Sequence, residues 1–228
     1  MENKGYIVIS LGGSLIAPNQ IDIDYLKKFT NLIKEYVSNG YKFAVITGGG
    51  STARTYINAS KEISNPTNDD LDWIGIATTR INAELLRVSF GELAHDVIIM
   101  NPDIIPITNK PVLVGGGWKP GNSSDLAAVH IAKSINAKKV INLSNIDYAY
   151  DKDPRKYEDA TPIKESNWSD FRKILPVEWN PGLNSPFDPI AADKAEELGL
   201  EVAILNGQNI ENLKNYLEVK EFVGTIIK

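Results

Sequence analysis

Three glycine-rich turns are the places in this chain where residue type and spacing permit chemistry. They read "SLGGS" from Ser10 to Ser14, "TGGGSTAR" from Thr47 to Arg54 and "VGGGWKPGNSSD" from Val114 to Asp125, each after a short apolar run. Glycine allows backbone conformations and close approaches that a side chain would block, and exposed amide N–H groups at helix starts attract phosphate. The first turn offers Gly12, Gly13 and Ser14, the second Gly49, Gly50 and Arg54, and the third runs from Trp118, Lys119, Pro120, Gly121, Asn122, Ser123 and Ser124 to Asp125. A single GG or GGG needs no more than a tight strand-to-helix connection. Three of them, each with a hydroxyl nearby, point to anion binding with room for two phosphorylated molecules. Neither GxxxxGK[ST] nor a convincing GxGxxG follows the first apolar run, which excludes the usual P-loop and dinucleotide readings.

Phosphate-binding turns must be gathered by the elements around them. Runs of strand type fall at Tyr6 to Ser10, Tyr41 to Thr47, Val97 to Met100, Val112 to Val114, Lys139 to Leu143 and Glu201 to Leu205, with amphipathic segments between them. That alternation predicts a parallel α/β sheet, whose ligands bind at the carboxyl ends of the strands. In the first crossover Ile23, Leu26, Phe29, Ile33 and Val37 recur at helical spacing, with Asp22 as a cap and Gly40 at the end. Further helices are expected over Thr52 to Ile63, Leu71 to Phe90, Ser124 to Ile135 and Pro189 to Leu198. The segment Asp147 to Glu165, mixed in aromatic, acidic and proline residues, predicts a hairpin or extended excursion.

Composition narrows the function classes. The chain has 228 residues, 43% of them hydrophobic, enough for one large α/β domain. A net charge of −5 leaves no basic field for nucleic acid, and the absence of cysteine removes disulfides, thiolate nucleophiles and cysteine metal sites. The longest apolar runs are strand-sized, so neither a signal peptide nor a membrane span is expected, and a cytoplasmic location is.

The order "IVISLGGSL", "AVITGGGSTARTYI", "LDWIGIATTRINAELL", "PVLVGGGWKPGNSSDLAA", "INLSNIDYAYDKDP", "DPIAADKA" and terminal "GTII" resembles the amino acid kinase superfamily, and within it the archaeal type of uridylate kinase. The resemblance covers nearly the whole chain. It implies a three-layer αβα sandwich with a mostly parallel open sheet of about eight strands, a single domain over residues 1–228, with an acceptor part over roughly 1–138 and a donor part over roughly 139–228. It also implies transfer of the ATP γ-phosphoryl to UMP with Mg2+, carried mainly by nucleotide phosphates, and a homohexamer built as a trimer of dimers.

By matching position, the resemblance puts Gly12, Gly13, Ser14, Gly50 and Arg54 at the ATP phosphates, and Ser144, Asn145, Tyr150 and Asp153 at the donor nucleoside. Gly49 would face the UMP phosphate, Asp72 the acceptor ribose, and Trp118 to Ser124 the uridine. Asp125 would orient cationic groups about the transferring phosphate, with Arg54 and Ser14 beside it. Each has a plainer reading: Asp72 and Asp125 as helix-start residues, Trp118 to Ser124 as a polar turn, and Tyr150 with the Asp153-Pro154 pair as turn chemistry. His130, on an apolar helix, reads as a packed residue; Arg80 and Arg87 on the long helix could reach phosphate or be solvated, with a structural reading favoured for both, although Arg80 also matches a family Thr-Arg pair.

The chain departs from the family pattern at Ser10, where many members have a lysine that meets the moving phosphate; Arg54, Lys119, Lys152 and a second magnesium are candidate substitutes. Tyr148 stands where glycine is usual. A kinase for isopentenyl phosphate is disfavoured because "GGGSTARTYINAS" lacks the histidine characteristic of that family. A noncatalytic nucleotide- or oxyanion-binding protein is favoured by Ser10 and disfavoured by Asp125, Arg54 and the full set of donor motifs.

Overall fold

A computed structural model describes residues 5–176 and 185–228. Trp179, whose place in the sequence carries no readable chemistry, lies outside them. The first part of the chain forms β1 (Tyr6–Leu11), α1 (Gly13–Ile16), α2 (Ile23–Ser38), β2 (Lys42–Thr47), α3 (Gly50–Ile63), α4 (Asn68–Phe90), β3 (Val112–Gly115) and α5 (Ser124–Ser134). The rest forms β4 (Lys139–Ser144), β5 (Ala149–Tyr150), β6 (Pro162–Ile163), β7 (Glu165–Ser166), α6 (Trp168–Arg172), α7 (Pro189–Glu197), β8 (Glu201–Asn206), α8 (Ile210–Leu217) and β9 (Gly224–Ile227).

Seven of these strands make one sheet in the order β3-β2-β1-β4-β8-β9-β7, parallel throughout except for the β8–β9 pair. Central strands such as β1 and β2 are almost continuously apolar because both sheet faces are covered. On one face Ile9, Phe43, Val45 and Ile141 pack with Phe29 and Ile33 of α2, Leu86 of α4 and Leu213 of α8. On the other, Val8, Ile46, Val140 and Ile204 pack with α5 and α7 through Ala128, Val129, Ala191 and Ala195. The register Ser10↔Asn142 joins β1 of the expected acceptor part to β4 of the expected donor part.

The expected helices form with small changes of boundary. Asp22 caps α2 by accepting from the Tyr25 N–H at 2.9 Å, and Gly40 follows at φ +85°. Helix α4 begins at Asn68, ahead of the expected Leu71, because Thr67 and Asp70 make a reciprocal capping box. The excursion after β4 is a hairpin in which β5 pairs antiparallel with β6, and Thr225 of β9 accepts from the Ala149 N–H at 2.9 Å.

Two expectations are corrected. Val97 to Met100 is not a strand: it meets the sheet through one bridge, Ile99 to Gly115, with Pro102 soon cutting off further pairing. The main sheet accordingly has seven strands among the described residues, where about eight were expected. No helix there is long and apolar enough to cross a membrane.

Candidate functional site

The parallel register brings the three glycine turns and the Ser144-Asn145 segment to the carboxyl ends of β1, β2, β3 and β4. The first two turns lie directly against each other. A side chain at Gly13 would put its Cβ 2.0 Å from the Gly50 nitrogen, and one at Gly50, which sits at φ +68°, would put its Cβ 2.2 Å from the Gly13 carbonyl oxygen. The turns are zipped by main-chain bonds, with Gly48 N–H donating to Leu11 O at 2.9 Å and Ser51 N–H to Ala17 O at 2.8 Å. Buried Asn82 of α4 holds the second turn from below by donating to Gly48 O at 2.8 Å and Gly49 O at 3.3 Å. Part of what the glycines accomplish is therefore backbone-to-backbone packing, which fixes the amides of the two turns relative to one another.

Ser14, half-buried in α1, makes no side-chain hydrogen bond among the described residues, which leaves its hydroxyl available at the turn. Arg54 is exposed on α3 and donates to the Pro18 carbonyl at 3.3 Å, so its guanidinium stands beside the first turn. The Ser144 hydroxyl is buried and unpartnered among the described residues, and Asn145 is exposed. Tyr150 is half-buried in β5. Asp153 is tied at both carboxylate oxygens by the Arg155 guanidinium, at 3.0 and 2.9 Å, which holds it below the usual carboxylate range. Its role in the structure is that of a loop brace.

Asp125 is placed in α5 but does not cap it: Ser123 does, accepting from Leu126 N–H at 3.1 Å. The Asp125 carboxylate instead turns toward the sheet, where Oδ1 accepts from the Ser10 hydroxyl at 2.7 Å and the Asn142 amide at 2.8 Å. Ser10 and Asn142 are polar interruptions in buried strands, 2% and 5% exposed, and they are register partners. Burial raises the Asp125 pKa to about 6; the Ser10 bond opposes this, the nearby Asp188 carboxylate adds to it, and the Asp188 backbone N–H opposes it. Asp188 caps α7 through Oδ1, and its other oxygen is buried with no partner among the described residues. Asn142 and Asp188 were not foreseen as site residues. Asn142 had a legible signal, a lone amide within the apolar run "KVINLS".

The third turn leads into the loop from Trp118 to Ser124. Asp72 lies beyond the Thr67 cap of α4, which removes the helix-cap reading, and its Oδ2 accepts from the Gly121 N–H at 2.7 Å. Lys119 places its ammonium 4.0 Å from the centre of the Trp118 ring, and that ring lies 5.3 Å from His130. His130 has its pKa lowered by burial, with Asp103 opposing at 3.7 Å. Pro120 and Asn122 close a local turn through a 3.1 Å bond, and Ser124 starts α5. Lys152 is paired with Asp159 at 2.6 Å on the hairpin and is no substitute for a lysine at position 10 in this conformation.

A cavity of about 1190 Å3 lies elsewhere, beside β9 and α8, lined by Tyr6, Tyr148, Tyr216 and Phe222 among others. It contains none of the three glycine turns.

The sequence profile of the amino acid kinase family matches residues 5–206. The chain is 34% identical over 222 residues to the uridylate kinase of Methanobrevibacter smithii, covering 96% of this chain and 97% of that one. It is 35% identical over 223 residues to the uridylate kinase of Staphylothermus marinus, covering 97% of each. The crystal structure of uridylate kinase from Archaeoglobus fulgidus superposes with a TM-score of 0.82 at 29% identity, covering 97% of this chain and 99% of that one. The turns, their order on the sheet edge and this full-length similarity together place the chain in the amino acid kinase family.

Proposed function

We propose that this protein is a phosphotransferase that moves the γ-phosphoryl of ATP onto UMP to give UDP. The observation that carries the reading is the juxtaposition at one sheet edge of two mutually packed glycine turns, a third turn leading to a loop held by Asp72, and a buried carboxylate, Asp125, between them. Full-length similarity to enzymes named uridylate kinase supports the same acceptor. Phosphoryl transfer asks the protein mainly for in-line positioning of two anions and neutralisation of charge, and this edge is built from the groups that supply both.

In this reading Gly12, Gly13, Ser14 and Gly50 bind the ATP phosphates, with Arg54 neutralising charge over the first turn. Ser144, Asn145 and Tyr150 take the donor nucleoside, and Asp153 shapes its loop. Gly49 faces the acceptor phosphate, Asp72 accepts from the ribose hydroxyls, and the loop from Trp118 to Ser124 surrounds the base. Asp125 orients cationic groups at the transferring phosphate. Mg2+, carried on the nucleotide phosphates, would supply charge neutralisation there.

The enzyme would act in the cytoplasm in pyrimidine nucleotide synthesis. On α4, Ile81, Leu85 and Val88 expose an apolar stripe at helical spacing, which favours self-association, with a hexamer the expected form. Light scattering on the purified protein should give the mass of six chains. The defining experiment is Mg2+-dependent ADP release across UMP, CMP, AMP, GMP and isopentenyl phosphate. Turnover with UMP far above the others is expected; silence with every acceptor would overturn the assignment.

A further inference from the structure

The third glycine turn is held differently from the other two. Where the first and second pack on each other, Gly116 lies flat on α4: a Cβ there would stand 3.0 Å from both the Arg80 nitrogen and Cγ. The next residue, Gly117, donates its N–H to the Thr79 hydroxyl at 2.6 Å, and that hydroxyl donates onward to Ile76 O at 2.7 Å. The Arg80 side chain then takes both of the following carbonyls. Its Nε donates to Gly117 O at 3.1 Å and its Nη2 to Trp118 O at 3.0 Å. Two turns earlier on the same helix, Asp72 accepts from Gly121 at the far end of the loop.

Arg80 is unusual in what it does with its charge. It is half-buried, its pKa is lowered by that burial, and among the described residues it makes no ion pair, whereas Arg87 on the same helix pairs with Glu84 at 2.6 Å. A partly desolvated guanidinium is retained, with both recorded bonds going to carbonyls of one loop. The planar fork matches two adjacent carbonyls in a way that a lysine ammonium cannot.

We propose that Arg80 is a positioning residue for the acceptor: it sets the register of the loop from Gly117 to Gly121, so that Trp118 and Asp72 meet the acceptor nucleoside together. This rests on the functional reading above. Arg80 acts through the loop and does not touch the substrate. The first and second turns, which carry the donor phosphate contacts and Gly49, have their own support in the packing of Gly13 against Gly50 and in Asn82 beneath the second turn, so loss of Arg80 should register on the acceptor nucleoside and leave ATP binding unchanged.

The test uses the full-length enzyme with Arg80→Gln and Arg80→Lys. The KM for UMP should rise about tenfold or more in Arg80→Gln, with the KM for ATP changed less than about twofold, since small misplacement of a substrate-positioning group costs one to two orders of magnitude. Arg80→Lys should recover little, and added guanidinium ion should partly restore Arg80→Gln. Amide hydrogen exchange without nucleotide, read on peptides spanning residues 115–123, should quicken in both variants while β1 and β4 stay protected. Exchange reports on the clamp whatever the acceptor is, so it separates failure of this inference from failure of the UMP assignment. Unchanged exchange in that loop, or KM values for UMP and ATP that rise together, would overturn the proposal.

Discussion

Replacing Asp125 with asparagine should make the folded protein more stable while removing most of its activity. The carboxylate is surrounded by protein and lies near Asp188, which together lift its pKa from 3.8 to about 6. A folded-state value above the unfolded one means that the fold holds the proton more tightly. Stability is therefore greatest with the group protonated and is lost as pH rises from about 4 through 6. At 1.36 kcal/mol per pKa unit, ionised Asp125 costs the fold about 3 kcal/mol at pH 8. Asparagine keeps an acceptor for Ser10 and Asn142 but gives up the bond from the Asp188 N–H, a loss of about 1 kcal/mol. The net gain is about 2 kcal/mol, or about 4–8 °C in Tm for a chain of this size. The assay is thermal unfolding of wild type and Asp125→Asn in EDTA, at one protein concentration, at pH 8 and pH 4.5. The variant should melt higher at pH 8, and the two should converge near pH 4.5, where most of the wild-type penalty is gone. A variant that melts lower at pH 8 by an amount independent of pH would refute the desolvation argument.

Other changes probe neighbouring links. Ser10→Ala removes a hydrogen bond that holds the Asp125 pKa down, so the acidic limb of the kcat/KM profile should move to higher pH; an unmoved limb would separate Asp125 from that limb. Asp72→Ala loses the Gly121 clasp and the proposed ribose acceptor, and the KM for UMP should rise at least about tenfold at constant KM for ATP, measured by steady-state kinetics. Gly13→Ala forces a methyl group to within 2.0 Å of the Gly50 nitrogen, and a drop in stability of about 3 kcal/mol or more is expected in urea titrations; wild-type stability would mean that the two turns separate freely.

The alternation of apolar runs and amphipathic segments was enough to establish an α/β sheet, because continuous burial on both faces leaves a local signature in strands such as β1 and β2. Turn chemistry likewise marked the three glycine loops, and the Ser10 and Asn142 interruptions could be read as polar groups in otherwise apolar strands. The Val97 to Met100 run misled because its composition suits a strand while Pro102 and its place beyond β3 restrict it to one bridge, a matter of position in the sheet. Helix α8 and strand β9 were not separately predicted, the first being short and the second known only as a terminal motif.

Roles that depend on a partner far along the chain needed the tertiary structure. Asp72 reads locally as a helix-start residue, and only the fold brings it to Gly121, 49 positions away. Arg80 could be solvated until α4 is laid beneath the third turn, and Ser10 looks like a missing cation until Asp125 is seen accepting its hydroxyl, 115 positions away. The sequence by itself determined the α/β architecture and the glycine-rich turns, because those depend on local periodicity and backbone freedom, and the order of its motifs carried the family resemblance. Which carboxylate is desolvated, which glycines pack on one another and which arginine holds the loop were decided by long-range contacts, whose partners no local pattern specifies.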